Sequence, residues 1–329
     1  PEEKISLWII DDGSQDRTPD LLKKLRTSFS RINVLSRPLM SGGGKSGALN
    51  SVLNKTDGEW LFILDADAQL QSNVLLRAIA LALHGGWSAV QLRKSVVNCE
   101  LNQIASYQAM EMAMDAVIQR GRLASGGVSE LRGNGQLINR KVLECCGGFN
   151  EQTITDDLDL SFRFLLTRSP IVIMWDPPIQ EEAVESLSAL FRQRKRWAEG
   201  GLQRFFDYWP LLISNRLSKF KKIDLSCFFL LQYVLPVVSF IDFIVSIILF
   251  ETPLYWPLSI VAFGISSLAF WKGCSQNSEG PRLPSPNFIN ILGATIYLAH
   301  WFIVIPFIVV KMSLFRKTLI WEKTDHIGS

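Results

Sequence analysis

Hydrophobic and polar positions divide this chain into two parts with different patterns. Up to about Lys222, short apolar runs alternate with charged stretches in which apolar residues recur at helical spacing. The runs that predict strands lie at 5–10, 32–35, 59–64 and 89–92, and the segments that predict helices lie at 18–29, 46–53 and 73–83. Strands separated by helices of this length predict an α/β fold with a parallel, doubly wound sheet. Such a sheet binds its ligands at the carboxyl ends of its strands.

Beyond Lys222 the chain carries long apolar segments, at 225–250, 254–271 and 288–310. Each is long enough for the roughly 20 residues that cross a bilayer, although the second is marginal. Buried core helices of a large soluble protein are the alternative, but apolar runs of about 18 or more residues are rare outside membranes. We therefore predict a membrane region at 225–329, joined to an α/β domain at 1–207 by a basic segment at 208–224.

The basic residues indicate the orientation of the chain. Lys219, Lys221 and Lys222 precede the first apolar segment, which predicts a multi-pass membrane protein with its α/β domain on the cytosolic side. Three complete spans would put the basic tail outside, against the positive-inside rule. Either one segment is re-entrant or interfacial, or the number of spans is not three. Asp242 interrupts the first segment, and we expect it to face other helices, a polar channel or the interface.

Composition narrows the function classes. The 329 residues are 48% hydrophobic, which is enough for a packed core and excludes a disordered chain. The net charge of +3 argues against a nucleic-acid partner, because proteins that bind nucleic acids are strongly and locally basic. Five cysteines form neither a metal-binding nor a disulfide pattern, which favours a reducing compartment. The chain begins at Pro1 and enters a strand directly, so we expect a fragment that lacks its N-terminal part.

Two aspartates, Asp65 and Asp67, follow the predicted strand at 59–64. Residues two apart on an extended backbone point the same way, so both carboxylates face one place. Two carboxylates brought together are unfavourable unless a cation lies beside them. Oxygen ligands favour Mg²⁺ or Mn²⁺, which proteins usually share with substrate phosphates. The alternative is an ordinary solvated turn after a strand.

Two further segments end near the same sheet edge. Asp11 and Asp12 close the first predicted strand, which we expect beside the strand of Asp65, and their carboxylates can accept hydrogen bonds from a nucleobase and a ribose. The glycine-rich stretch 41–44 leads into a predicted helix, with Lys45 available to a diphosphate. It is not a P-loop, because Leu39 stands where that motif requires its first glycine. An ordinary loop is the alternative.

Two more motifs lie further along the chain. In Thr155-Asp156-Asp157-Leu158-Asp159, acidic residues at a helix start either cap the helix or supply a general base. Gln193, Arg196 and Trp197 are spaced to share one helix face, which offers an amide, a cation for phosphate oxygens and an indole platform for a sugar. A basic helix that binds anionic lipid is the alternative for this second motif.

In this order, the motifs resemble the membrane-embedded family-2 glycosyltransferases, which include the cellulose, chitin and hyaluronan synthases. The tail from Trp321 to His326 also resembles that family. The resemblance implies a GT-A fold that lacks its first strand and N-terminal helices here, and a UDP-sugar donor. It also implies residue roles: nucleoside contacts by Asp11 or Asp12 and by Asp65, diphosphate contact by Lys45, a Mg²⁺ or Mn²⁺ ligand in Asp67, a general base in Asp157, and acceptor or diphosphate contacts by Asp156, Gln193, Arg196 and Trp197.

The stretches 130–136, 153–160 and 196–201 are also similar to the cyanobacterial-type monoglucosyldiacylglycerol synthases. This resemblance implies a single transfer, of a hexose such as glucose, to a membrane lipid such as diacylglycerol, with inversion to a β-glycoside. The alternative is a processive synthase that extends a growing glycan and therefore needs enough helices to line a channel. A non-catalytic scaffold is disfavoured, because Asp67, Asp157 and Trp197 are all present.

Overall fold

The computed structural model describes residues 4–315. The tail from Trp321 to His326, which resembles the family, lies outside the described residues. The same holds for the basic residues of the tail, Arg316, Lys317 and Lys323.

Strands and helices alternate through the first part of the chain, as predicted. The strands are β1 (Leu7–Asp12), β2 (Ile32–Arg37), β3 (Trp60–Ile63), β4 (Ala89–Val96), β5 (Gln136–Asn139) and β6 (Ile171–Glu181). The helices between and after them are α1 (Thr18–Ser28), α2 (Gly44–Leu53), α3 (Val74–Gly85), α4 (Gln103–Ala124), α5 (Arg140–Cys145), α6 (Asp156–Leu166) and α7 (Leu187–Ile213). The seven elements predicted from the sequence are all present, with ends that differ by at most four residues.

The sheet differs from the prediction of one parallel sheet. Within residues 4–315, β1 and β2 form a parallel pair of their own, and the other four strands form a mixed sheet in the order β3-β5-β4-β6. Strand β5 runs antiparallel to both its neighbours, while β4 and β6 are parallel. The expectation that β1 and β3 lie side by side is therefore wrong. The four-residue β5 gives too weak a sequence signal to predict, yet it takes the place beside β3.

The three predicted apolar segments are helical. They are described by α8 (Lys219–Phe229), a π-helical turn (Leu230–Val234), α9 (Leu235–Leu249), α10 (Trp256–Ser275), α11 (Phe288–Tyr297), a 3₁₀ turn (Leu298–His300) and α12 (Trp301–Leu314). Joined end to end, these give three helices that are long and apolar enough to cross a membrane: Lys219–Leu249, Trp256–Ser275 and Phe288–Leu314. The first begins six residues before the predicted start at 225, and residue 207, the predicted domain end, lies inside α7.

One hydrophobic core joins the α/β part to these helices. Phe162 of α6 and Leu202 and Phe205 of α7 pack in the same buried cluster as Val304 and Ile308 of α12. Helix α4 lies against α10, and Gly273 brings the two backbones together, because a side chain there would press on Ala113. The α/β part and the apolar helices therefore form one packed unit. Asp242 accepts a hydrogen bond (2.8 Å) from the backbone nitrogen of Tyr255, at the start of α10.

Candidate active site

A cavity of about 910 Å³ connects the edge of the mixed sheet with the space between the apolar helices. Its polar end is lined by Lys45, Asp65, Asp67, Lys94, Asp156, Asp157, Glu181, Gln193, Arg196 and Trp197. Its apolar end is lined by Phe228, Leu231, Leu235, Phe263, Leu298 and Phe302. The structure thus brings eight of the ten predicted site residues to one cavity.

The glycine-rich loop delivers Lys45 to the predicted acids. Gly42, Gly43 and Gly44 all have positive φ, of 75°, 71° and 53°, which suits glycine, and α2 begins at Gly44. The Nζ atom of Lys45 lies 2.5 Å from Oδ1 of Asp65. Burial alone would lower the pKa of Lys45, but the charges of Asp156 and Asp65 outweigh burial and raise it. Lys45 therefore stays a cation among the acids.

Asp65 is fixed from two sides after β3. Besides Lys45, its backbone nitrogen donates to the side chain of Asn134 (3.1 Å), which in turn donates to Glu181 (3.2 Å). Burial would raise the pKa of Asp65, but Lys45 outweighs burial and lowers it, so the carboxylate is ionised. Glu181 also pairs with Lys94 (3.1 Å). These hydrogen bonds and this ion pair thereby connect the residue after β3 with the ends of β4 and β6.

Asp156 and Asp157 open helix α6, as the sequence predicted. Asp157 faces Gly133, where an added Cβ would lie 3.6 Å from its Oδ2 atom. Burial, followed by repulsion from Asp156, raises the pKa of Asp157 to about 6. Within residues 4–315, the Oδ2 atom of Asp156 is buried and has no hydrogen-bond partner. The pKa of Asp157 is thus close to the pH range in which a general base works, and Asp156 keeps an oxygen that can accept a hydrogen bond from a ligand.

Asp159 is the member of this motif that has a structural role. It is buried, accepts from Arg163 (2.7 Å) and Tyr208 (2.8 Å), and accepts from Asn150 (2.9 Å). Its carboxylate is therefore saturated by partners within the fold.

Asp67 lines the cavity and is half-buried. Within residues 4–315, no three acidic, histidine or cysteine side chains form a complete metal cage. Asp65, the other carboxylate at this strand end, is engaged by Lys45. That donor set suits a cation such as Mg²⁺, which usually takes one or two carboxylates and completes its shell with substrate phosphates and water.

Helix α7 carries Gln193, Arg196 and Trp197, which all face the cavity, as their spacing predicted. Gln193 accepts a hydrogen bond (3.3 Å) from Gln108 of α4. The ring of Trp197 lies 4.2 Å from the guanidinium of Arg194, measured to the ring centroid. Trp197 is held by this contact and by packing against the cluster around Val96 and Ala105.

Asp11 and Asp12 lie elsewhere. In the described residues neither lines the cavity: Asp11 accepts from the backbone of Ser14 (3.0 Å), and Asp12 pairs with Arg37 (2.8 Å). The side chain of Arg37 also donates to the carbonyl of Gly42 (2.7 Å). These contacts connect the end of β1 to the glycine-rich loop. A nucleoside contact by Asp11 or Asp12 stays a prediction.

The sequence reasoning missed two buried ionic groups beside the cavity. Arg194 pairs with Glu111, which lies inside the otherwise apolar run 109–114 of α4. Glu130 pairs with Arg132 (3.0 Å) and with Arg204 (3.0 Å). Burial would raise the pKa of Glu130, but these arginines outweigh it and lower the pKa to about 2. A charge inside an apolar helical run was the available signal for Glu111, whereas nothing in the spacing pairs Glu130 with Arg204.

Comparison with known proteins gives the family. The profile described as "Glycosyl transferase family group 2" matches residues 60–270, which include the acids of the cavity and helix α7. This chain is a family-2 glycosyltransferase. It is therefore an enzyme, and its α/β part has the GT-A fold that the resemblance implied.

Relatives and a solved structure extend this result. The chain is 39% identical to the beta-monoglucosyldiacylglycerol synthase of Trichormus variabilis, over 100% of this chain and 71% of that protein. It is 40% identical to the beta-monoglucosyldiacylglycerol synthase of a Synechocystis strain, over 99% of this chain and 69% of that protein. The fold is similar to the mannosyltransferase PcManGT of Pyrobaculum calidifontis, solved with GDP-Man and Mn²⁺, with a TM-score of 0.62, 16% identity, and coverage of 96% and 80% of the two chains.

Proposed function

We propose that this glycosyltransferase transfers glucose from UDP-glucose to diacylglycerol and forms a β-glucoside. The observation that carries the proposal is the cavity, which joins the acids around Asp157 directly to an apolar space between the membrane helices. A lipid can keep its acyl chains in that space while its hydroxyl reaches the acids. The names of the relatives in Trichormus and Synechocystis specify the same product.

Asp157 acts as the general base. With its pKa raised to about 6, its carboxylate is ionised at neutral pH and still basic enough to accept a proton. It takes the proton from the acceptor hydroxyl while that oxygen forms a bond to the anomeric carbon. The bond from that carbon to the diphosphate oxygen breaks on the opposite face, and the electron pair leaves with UDP. A single displacement converts an α-linked donor into a β-product.

The other residues at the polar end of the cavity bind and orient the nucleotide sugar. Asp156 accepts a hydrogen bond from a sugar hydroxyl, because its Oδ2 atom has no partner in the described chain. Lys45 positions Asp65 at the nucleoside, and Gln193 and Arg196 contact the diphosphate. Trp197, held against Arg194, offers its ring to the sugar.

Asp67 would hold the divalent cation, either Mg²⁺ or Mn²⁺, against the donor diphosphate. When bound, the cation neutralises the charge that develops on the leaving group. Proteins often hold Mg²⁺ with one or two carboxylates and complete its shell with substrate phosphates, which suits a cation that arrives with the donor.

Orientation in the membrane is part of the proposal. The three apolar helices support a multi-pass protein, and the lysines at the start of α8 favour a cytosolic position for the catalytic part. The active site then lies at the membrane surface, where both a soluble nucleotide sugar and a membrane lipid reach it.

A polysaccharide synthase would need a polar path across the membrane for its product. The membrane end of this cavity is lined instead by side chains such as Phe228, Leu235 and Phe302, which suit hydrocarbon. The three apolar helices in the described chain are also few to enclose a channel. These features favour the lipid over a growing glycan.

The test uses membranes that contain the protein, incubated with labelled UDP-glucose, Mg²⁺ and diacylglycerol and then partitioned between chloroform and water. We expect label in the organic phase as one β-glucolipid, and none with Asp157→Asn membranes. Label in ethanol-insoluble material that a β-glucanase releases would overturn the proposal in favour of a polysaccharide synthase.

A further inference from the structure

An amide side chain, Gln232, lies within the first membrane helix. The most apolar 18-residue stretch of that helix, Lys219–Leu249, has a mean hydropathy of 2.1, and Gln232 stands near the middle of the helix. The chain around it forms the π-helical turn Leu230–Val234, which closes with a hydrogen bond from the nitrogen of Leu235 to the carbonyl of Leu230. Single π turns inside α-helices are frequent at functional sites.

Gln232 lines the cavity, together with its neighbours Leu231 and Tyr233. Among the hydrogen bonds of residues 4–315, none involves the side-chain amide of Gln232. Polar groups in membrane helices normally bond to neighbouring helices, because hydrocarbon offers them no partner. An amide that lines a cavity without a protein partner is therefore suited to bind a ligand.

The contacts of Tyr233, the next residue in the chain, indicate where Gln232 lies relative to the acids of the cavity. The Tyr233 hydroxyl packs against Gly201 of α7 and lies beside the guanidinium of Arg204. Arg204 pairs with Glu130, and Glu130 pairs with Arg132, whose charge acts on Asp157. Gln232 thus lies at the border between the polar and apolar ends of the cavity.

The ions at this border compensate one another. Three arginines are matched with three acids, in the pairs Arg122–Asp224 (2.8 Å), Arg132–Asp115 (2.9 Å) and Arg204–Glu130 (3.0 Å). Because these charges balance, the border suits a neutral polar group rather than a phosphate. A second amide, Gln119, also lines the cavity, and its buried Nε2 atom has no acceptor in the described chain.

We propose that Gln232 donates a hydrogen bond to an ester carbonyl of the diacylglycerol acceptor and so selects ester-linked glycerolipids. This inference rests on the proposed function. A glycerolipid has its neutral ester groups between its hydroxyl and its hydrocarbon chains. With the hydroxyl at Asp157 and the chains among Phe228, Leu235 and Phe302, the esters come to lie at the border where Gln232 stands. Gln232 is a positioning and specificity residue, because it does not touch the reacting atoms.

The test compares two acceptors of equal chain length in mixed micelles: a diacylglycerol and the dialkylglycerol that lacks both ester carbonyls. For the wild-type protein we expect a KM for the diester that is about five- to tenfold lower, as one hydrogen bond would give. In Gln232→Leu, the diester KM should rise to that of the diether, while the diether KM and kcat stay unchanged. Ser246→Ala, at a hydroxyl bonded within its own helix, serves as the control and should match the wild type.

Each outcome decides a different question. A wild-type enzyme that glucosylates both acceptors with equal KM overturns this inference without any variant and leaves the proposed function standing. A Gln232→Leu variant that raises both KM values equally overturns it too, because the amide would then act by shape alone. A wild-type enzyme that glucosylates neither glycerolipid removes the proposed function and this inference together.

Discussion

Arg194 of α7 is completely buried and pairs with Glu111 of α4. The same group extends into the membrane helices, since Arg194 donates to the hydroxyl of Tyr297 (3.1 Å) and that hydroxyl donates to Glu111 (3.2 Å). Trp301 also donates to Glu111 (3.4 Å). Helix α7, which carries Gln193, Arg196 and Trp197, is therefore joined to α4 by a buried ion pair, and hydrogen bonds from Tyr297 and Trp301 connect this pair to the third apolar helix.

Removing one partner of that pair should destabilise the protein. In Glu111→Gln the buried guanidinium of Arg194 loses its counter-ion, which we expect to cost about 3–5 kcal/mol of unfolding free energy. The double variant Glu111→Leu/Arg194→Met should recover most of this loss, because it removes both charges. Thermal unfolding in detergent measures the effect, with Glu279→Gln as control, since Glu279 forms an exposed pair with Arg77 (2.7 Å) and should cost less than about 1 kcal/mol. A double variant less stable than Glu111→Gln would contradict this account.

Asp157→Asn should abolish transfer and spare donor binding, because the base acts on the acceptor. We expect kcat to fall by about a hundredfold to ten-thousandfold, while calorimetric titration with UDP and Mg²⁺ gives a nearly unchanged affinity. Asp159→Asn is the contrasting variant: it should lower the melting temperature, because Asp159 holds Arg163 and Tyr208, and should leave the chemistry nearly intact. Turnover of Asp157→Asn at the wild-type rate would remove Asp157 from the base role.

The acid side of the pH profile should report Asp157. Its pKa of about 6 lies above the usual value of 3.8, so the carboxyl is protonated and inactive below about pH 6 and ionised above it. We therefore expect kcat/KM to decline as the pH falls through about 6. Asp156→Asn removes a neighbouring negative charge, which should lower the pKa of Asp157 and move this decline to lower pH. Profiles measured between about pH 4.5 and 8 check the direction, and a decline that stays in place or moves to higher pH would disprove the assignment.

Asp67→Ala should uncouple nucleotide binding from the divalent cation. In the wild type, Mg²⁺ or Mn²⁺ should strengthen UDP binding, because Asp67 would hold the ion that neutralises the diphosphate. In the variant, the UDP affinity should be the same with and without the cation. Asp57→Ala, at an exposed aspartate outside the cavity, should bind UDP as the wild type does. A metal-dependent gain that persists in Asp67→Ala would reject the role.

Gly200→Ala tests the packing that places the acids. An added Cβ at Gly200 would collide with the side chain of Thr155, directly before Asp156, so the start of α6 must move. We expect a marked loss of kcat together with about 1–3 kcal/mol of destabilisation. Gly121→Ala is the matched control, because an added Cβ there meets open space; it should be neutral or stabilising by up to about 1 kcal/mol. Equal activity in the two variants would show that the contact of Gly200 with Thr155 is dispensable.

Local chemistry explains why so much of the fold was predictable. The apolar runs 5–10 and 59–64 favour strands, and Thr18-Pro19 and the acids 156–157 are residues that begin helices. Apolar segments as long as 288–310 have few stable surroundings except a membrane. Such signals depend on neighbouring residues and survive in the sequence. The pairing of β3 with β5 leaves no such local signal, because the paired residues are more than 70 positions apart in the sequence.

The sequence by itself determined the family, the order of strands and helices, and most of the acids and the helix face that meet at the cavity. Only the tertiary structure decided how those groups are tuned and what surrounds them. It placed Lys45 on Asp65, left Asp157 with a raised pKa, removed Asp11 and Asp12 from the cavity lining, and opened that cavity toward the membrane helices. Pairing and burial depend on which distant segments pack together, and a protonation equilibrium depends on every charge that this packing brings near.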